Sequence, residues 1–422
     1  MQSKVFRANL TSHGLRANGR ASAGRPAARG ERGTTSHQWP ARATHSERTR
    51  SAPRRALIWD SNNTASVIAA HTMAAHGWRV DAILPPSSPW RGELAFNGER
   101  TIASVDDPCL EEIICEHPAD ALFLFGDDQV RWFLARYSRL PAHLRAQLPP
   151  PASAELALSK ERSAQLAAEL GVPTLPTRFG ETKVQVERIA RELGDGHEVV
   201  LKGDGGSAGS AVRTHRSSTA IVDPVWQAIT AHSPRVGVQK RLRGPRLFVT
   251  VVYEHGCERA ACAHRKLAVW PKHFGITAVG ITEKHEAVHD YTERIFRALN
   301  WHGVANVEFR QDIDDGQWYF MEINPRVNAS LGLQSRAGLN VPAIWAAISR
   351  GEGNQIGPSR AYSEGVGWWW AVPTFALMLH RPWQVAQHVH WKTMGTDWDF
   401  LNPASRAGVL KLATWHAVRA NQ

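Results

Sequence analysis

Four cysteines in 422 residues are too few for a disulfide framework, which excludes the small secreted scaffolds that depend on one. Cys257 and Cys262 lack metal-ligand spacing, and the 20 histidines form no ligand cluster, His388-x-His390 being the nearest approach. No run reaches the roughly 18 apolar residues of a membrane span. The nearest, 365–379, is shorter and contains Pro373. No Gly-x-Gly-x-x-Gly follows the first apolar run, 56–60 (ALIWD), so a dinucleotide site is not expected there. A reduced, cytoplasmic setting without membrane contact is the expectation.

Acidic residues are also scarce, but locally. The net charge is +11. Residues 1–55 carry Lys4 and eleven Arg against Glu31 and Glu47, which is 12 − 2 = +10, so the remaining 367 residues carry about +1. The basic balance belongs to an extension that has almost no branched apolar residues and no periodicity, and such a segment cannot bury enough surface to order itself. A nucleic-acid-binding arm is the less favoured use of it. The length allows two or three domains.

What is present centres on residues 303–325, GVANVEFRQDIDDGQWYFMEINP. Two alternating runs, 306–313 and 317–324, flank Asp314-Asp315-Gly316, and alternation around Asp-Gly predicts a β-hairpin. A two-residue turn at Asp315-Gly316 would set Glu308 against Ile323. A three-residue loop with Gly316 left-handed sets Glu308 against Glu322 and Asn306 against Asn324. The second register is predicted. It puts two carboxylates and a carboxamide on one face, with Val307, Phe309, Met321 and Ile323 buried on the other. Opposed like charges ask for compensation. A hard divalent cation using one or two carboxylates, water and phosphate oxygens would provide it, although ordinary carboxylates on a solvated sheet face would give the same pattern.

Before the hairpin, 56–60, a helix-spaced stretch capped after Asn62-Asn63, 80–84 and 121–125 read as a small parallel α/β unit ending near the Pro149-Pro150-Pro151 linker. Residues 159–170 read as an amphipathic helix capped by Ser159. Residues 198–202 (EVVLK), the run Gly203 to Ser210 and 211–214 make a strand, a glycine-rich loop and a strand, whose tip exposes backbone N–H groups to phosphate oxygens. It is not a Walker A loop, since Gly-Lys-Ser/Thr is missing. Residues 247–253 and 260–266 form a further predicted hairpin around Glu254-His255-Gly256, and 291–299 an amphipathic helix. The segment 357–422 is rich in Trp and is expected to pack on the body.

The segment NVEFRQDIDDGQWYFMEINPR resembles the metal-binding segment of the ATP-grasp superfamily, with a Glu on one strand and Glu-x-Asn-Pro-Arg on the next. SKERSAQLAAELGVPTLPT, VLK with its glycine loop, VGVQKRLRG, AHRKLAVWP and the stretch through Gly338-Leu339-Asn340-Val341-Pro342 continue the likeness over roughly 159–351. The resemblance implies an α/β (α+β) ATP-grasp fold. It would comprise a disordered basic extension (1–55), an N-terminal parallel α/β pre-ATP-grasp domain (56–150), the ATP-grasp domain (151–351, small lobe about 171–240, large lobe about 241–351) and the Trp-rich C-terminal segment (352–422). It implies a ligase that uses ATP and Mg²⁺ (or Mn²⁺) to join a small-molecule carboxylate to an amine or similar nucleophile, and it is compatible with a homodimer.

Residue by residue, the resemblance implies Glu308, Glu322 and Asn324 as metal ligands. Lys160, Lys202 and the loop residues Gly205, Gly206, Ser207 and Gly209 would meet nucleotide phosphates, and Gln239, Lys240 and Leu242 would form the adenine hinge. Arg265 would stand over the transferred phosphate, and Arg326 would contact phosphate or the reacting group. Relatives usually carry acids where this chain has Lys240 and Arg246. That departure prompts the alternative of a non-catalytic nucleotide-binding regulatory or interaction protein on the same scaffold.

Overall fold

The computed structural model describes residues 54–60, 62–203, 212–231, 233–271, 275–356 and 360–419. The expectations for nearly all of the basic extension, and for Gly205, Gly206, Ser207 and Gly209, lie outside the described residues.

The three apolar runs near the start form β1 (Arg55–Trp59), β2 (Arg79–Leu84) and β4 (Ala121–Leu124) of a four-stranded parallel sheet, which an unpredicted polar strand, β3 (Gly98–Thr101), completes in the order β3-β2-β1-β4. A continuous apolar run suits a strand buried on both faces. In β1, Ala56 and Ile58 join one core cluster while Leu57 and Trp59 join another. The helix Thr64–Ala75 starts where the Asn63 side chain accepts from Ala65 N at 3.0 Å, satisfying one of its open donors.

A second sheet is antiparallel: β5 (Arg178–Gly180), β6 (Glu198–Gly203), β7 (Val212–Arg216) and β8 (Val236–Lys240), ordered β5-β8-β6-β7. The predicted strand pair on either side of the glycine loop is β6 with β7, with Lys202 opposite Val212 at the loop end.

The third and largest sheet contains β9 (Arg246–Glu254), β10 (Cys257–Trp270), β11 (Ile276–Thr282), β12 (Gly303–Gln311), β13 (Trp318–Asn324), β14 (Gly367–Trp369) and β15 (Gly395–Thr396). The order is β13-β12-β9-β10-β11-β14-β15, so the Trp-rich segment supplies strands to the sheet as well as helices. The β9–β10 connection turns on His255 (φ 46°) and Gly256 (φ 78°), the two left-handed residues a tight hairpin needs. One face of this sheet packs Leu247, Val249, Ala263, Val307 and Phe309 against the helix Glu286–Ala298 in a single core.

The β12–β13 hairpin reaches its predicted register by an unpredicted route. Gly316 is left-handed, at φ 73°, as expected. The loop is not the three residues predicted: Asp312 N donates to Gln317 O at 2.9 Å, leaving four residues between them, and Gly316 N donates to Asp312 O at 2.9 Å. Phe309 then pairs with Phe320, and a bulge at Met321 restores Glu308 to Glu322 and Asn306 to Asn324. One extra turn residue is offset by one extra strand residue. Met321 is therefore half-buried instead of buried, and Phe320 takes the core position beside Phe309, ring centroids 6.1 Å apart.

Candidate active site

The opposite face of the large sheet is polar at the end where β12 and β13 carry Glu308 and Glu322. Both carboxylates, with Asn324 and Arg326, line one cavity of about 720 Å³. The base of this wall is a closed hydrogen-bond network. Thr250 Oγ1 donates to Asn306 Oδ1 at 2.6 Å, and Asn306 Nδ2 donates to the Arg326 carbonyl at 2.6 Å. Ser330 N donates to Asn328 Oδ1 at 2.8 Å, and Gln334 Nε2 to Ser330 Oγ at 2.8 Å. Buried, hydrogen-bonded groups of this kind hold a wall rigid, although Gln334 Oε1 finds no partner among the described residues. Asn306 thereby fixes the backbone from which Arg326 projects.

Cations sit against each acid. Lys266 Nζ lies 2.5 Å from Glu308 Oε2, Arg246 Nη1 3.7 Å from Glu308 Oε1, and Lys160 Nζ 3.6 Å from Glu322 Oε2. Burial alone would raise the Glu308 pKa, but the Lys266 ammonium and the Arg246 guanidinium outweigh it and hold the carboxyl below its ordinary value. Burial pushes the Lys266 ammonium down, with Glu308 opposing that shift and Arg246 adding to it. Arg326 Nε pairs with Asp127 Oδ1 at 2.8 Å, and its Nη2 donates to Asn324 Oδ1 at 3.4 Å.

The donor chemistry suits a hard divalent ion. Among the described residues no three His, Cys, Asp or Glu side chains converge as a self-sufficient cage. Two carboxylates and one amide oxygen on a cavity wall instead match Mg²⁺, which takes few protein ligands and completes its shell with water and phosphate oxygens.

The structure separates the other predicted residues. Arg265 faces away from the cavity and pairs with Glu283, Nε to Oε2 2.8 Å. Its neighbours His264 and Lys266 face in. The correction follows from parity: Cys262 pairs with Thr250, Thr250 pairs with Asn306, and residues two and four beyond Cys262 share that face. Reading β10 against Asn306 would have selected Lys266.

None of Lys160, Lys202, Gln239, Lys240 and Leu242 is among the described lining residues of this cavity. Lys160 opens its helix beside Glu322, Lys202 is buried at the end of β6, and Leu242 is buried beyond the hinge. The Gln239 amide turns inward to Thr177 Oγ1. Lys240 Nζ meets Asp312 Oδ2 at 2.9 Å and Asp314 Oδ2 at 3.4 Å, which raises its pKa through the Asp312 hydrogen bond and ties the hinge to the central hairpin.

His264 was also missed. It is buried between Phe248 and Trp370, centroids 5.5 and 5.8 Å away, and its Nδ1 has no hydrogen-bond partner among the described residues. Burial lowers its pKa to about 3, so the ring is neutral. The remaining cavity walls come from the loops after β1 and β4 and from the C-terminal segment through Trp370, Val372 and Leu412.

A family model described as "ATP-grasp in the biosynthetic pathway with Ter operon" matches residues 232–365, which include both glutamates. Acetyl-CoA carboxylase 2 of Oryza sativa subsp. japonica is 24% identical over 234 residues, 48% of this chain and 10% of that relative. The chain thus aligns with only a small part of that protein's length. Biotin carboxylase from Campylobacter jejuni, solved as a β,γ-ATP complex, superposes with a TM-score of 0.60 at 15% identity, covering 74% of each chain. The biotin carboxylase domain of the Hydrogenobacter thermophilus 2-oxoglutarate carboxylase, solved with MgADP, ADP and bicarbonate, gives a TM-score of 0.60 at 15% identity over 74% and 73% of the two chains. At these identities the likeness to the solved structures is one of fold.

Proposed function

We propose that this chain, an ATP-grasp protein by sequence match and by fold, is an ATP-dependent ligase that activates a carboxylate as an acyl phosphate for attack by an amine or similar nucleophile. The observation that carries the reading is the opposition of Glu308 and Glu322 on adjoining strands, both lining one cavity with Arg326. The two solved neighbours, whose crystals contained ATP or ADP ligands and in one case magnesium, support the choice of nucleotide and ion.

In the first step an oxygen of the substrate carboxylate bonds to the γ-phosphorus, the bond to the β–γ bridging oxygen breaks, and ADP leaves. In the second, the nucleophile bonds to the acyl carbon, inorganic phosphate leaves, and the nucleophile releases its proton. Bound by Glu308, Glu322 and Asn324, Mg²⁺ would neutralise phosphate charge. Arg326, held by Asp127 and by the Asn306 contact to its carbonyl, orients the carboxylate. Lys266, on the wall beside Glu308, would meet charge on the migrating phosphoryl oxygens, and Lys160 and Lys202, outside the described lining of the cavity, would hold nucleotide phosphates. Catalysis of this kind needs position and charge and no side-chain nucleophile.

Glu322→Gln removes a metal-binding charge and little packing, so ADP release with Mg-ATP and an acid–amine panel should fall by at least ~100-fold with Tm unchanged. Undiminished ADP release in that variant would refute the assignment. A second reading is favoured by one observation: Glu308 already faces both Lys266 and Arg246, as in a scaffold that binds nucleotide without ligation. Calorimetric Mg-ATP binding with no ADP release for any acid–amine pair would select it.

A further inference from the structure

Among the described residues, the cavity's lysine and arginine cations are paired with acids, with one exception. Lys266 is paired with Glu308 and Arg326 with Asp127. Arg131, on the helix Asp127–Arg136, is exposed, lines the same cavity, and makes no hydrogen bond or ion pair with any described residue. That is unusual for its place. An arginine on a helix pairs with acids three or four residues before it, and both are present. Asp127 is taken by Arg326, and Asp128, which also lines the cavity, lies over Gly126 and makes no ion pair with Arg131. Farther along the same stretch, Arg136 and Arg139 both find Glu111. Among the described lysines and arginines that line the cavity, Arg131 is the one without an acid beside it.

Its position has a second meaning. In the order β3-β2-β1-β4 the chain reverses direction of growth between β1 and β4, and ligands of open parallel sheets bind outside the strand ends at such a point. The cavity opens there, between Asn62 and Gly126. Asn62 is held left-handed at φ 59° by backbone donation from Asn62 and Asn63 to Asp60 at 3.0 Å each; such strain in a non-glycine residue marks functional loops.

We infer that the acid this enzyme activates carries a second anionic group, a carboxylate or a phosphate, which docks on Arg131 and the Asn62 amide while the reacting carboxylate sits at Arg326. Asp127, which holds Arg326, and Arg131 are one helical turn apart, with Cβ atoms about 6 Å from each other. Arg131 thus lies one helical turn from the residue that holds Arg326, on the wall of the same cavity. This inference rests on the ligase reading for the role of Arg326.

The test is calorimetric and needs no turnover. The full-length protein is titrated with glutarate, 3-phosphonopropionate and butyrate, in the wild type, Arg131→Ala and Arg131→Lys. Glutarate or 3-phosphonopropionate should bind the wild type at least tenfold more tightly than butyrate, which of the two identifying the distal group. That preference should drop below threefold in Arg131→Ala and recover partly in Arg131→Lys. Equal binding of butyrate in the wild type, an unchanged preference in Arg131→Ala, or no binding of any of the three overturns the assignment. Selective binding without ADP release for any acid keeps Arg131 and overturns the ligase reading instead.

Discussion

The two faces of the seven-stranded sheet are built from alternate residues of the same strands and serve different ends. One face, with Leu247, Val249, Val307, Phe309 and Ile323, is continuous core. The other, at the same level, carries Thr250, His264, Lys266, Asn306, Glu308 and Glu322, three of them buried and three half-buried, all but His264 with a polar protein partner. Apolar packing accounts for the first face without reference to any ligand. The second holds opposed carboxylates that packing does not require and that cations must offset. The pleat thus divides the strands: residues of one parity hold the sheet, residues of the other face the cavity.

The largest effect should come from crossing that division. Phe309→Ala, on the core face, should destabilise by ~3–5 kcal/mol and lower Tm sharply, whereas Glu322→Gln on the other, at a half-exposed carboxylate, should leave Tm nearly unchanged and remove turnover. If calorimetry gave the two variants the same Tm loss, the division would be an illusion. Next in size is the adjacent pair on β10. Lys266→Met should reduce ADP release by about 10²-fold and Arg265→Met by less than threefold. Steady-state rates reversing that order would restore Arg265 to the site.

Smaller still is the contrast between two buried acids. Glu308 faces cations and its pKa falls. Asp397, across the cavity, meets only neutral donors, from Thr64 at 2.6 Å and Ala371 at 2.7 Å. Burial raises its pKa from 3.8 to about 6, the hydrogen bonds opposing. A pKa raised on folding favours the native state below the unfolded value, and that contribution is lost as pH rises through about 6, on the order of 3 kcal/mol. Asp397→Asn should therefore flatten the decline of Tm between about pH 4 and 6.5 relative to wild type. Identical slopes in both proteins would show that Asp397 ionises freely. The smallest expected effect is at the turn: Gly316→Ala meets open space but a φ of 73°, costing ~1 kcal/mol. Its kcat should stay at the wild-type level, and a tenfold fall would mean that the turn positions Glu322.

The legible parts of the fold were those with local physical causes. Alternation around Asp-Gly located the central hairpin and opposed its glutamates, unbroken apolar runs located three of the parallel strands, and Ser159 marked its helix start, its Oγ accepting from Arg162 N at 3.3 Å. What escaped depends on partners distant in the chain. Arg265 and Lys266 are equivalent until β10 is phased against β9 and β12. The strands β14 and β15, three and two residues long, carry no periodicity to read. The turn was misjudged by one residue because the Asp312–Gln317 pair that closes it is a matter of backbone geometry, and Arg131 gained significance only when Asp127, one turn before it, proved to be engaged by Arg326.

The bulge at Met321 gives the hairpin two scales offset by one division, like a vernier. The inner scale, from Asn306 to Glu308, is locked to β9; the outer one follows the turn. A lineage could lengthen or trim the tip by a residue and absorb the change at that joint, so the paired glutamates can keep their alignment while the loop beyond them drifts.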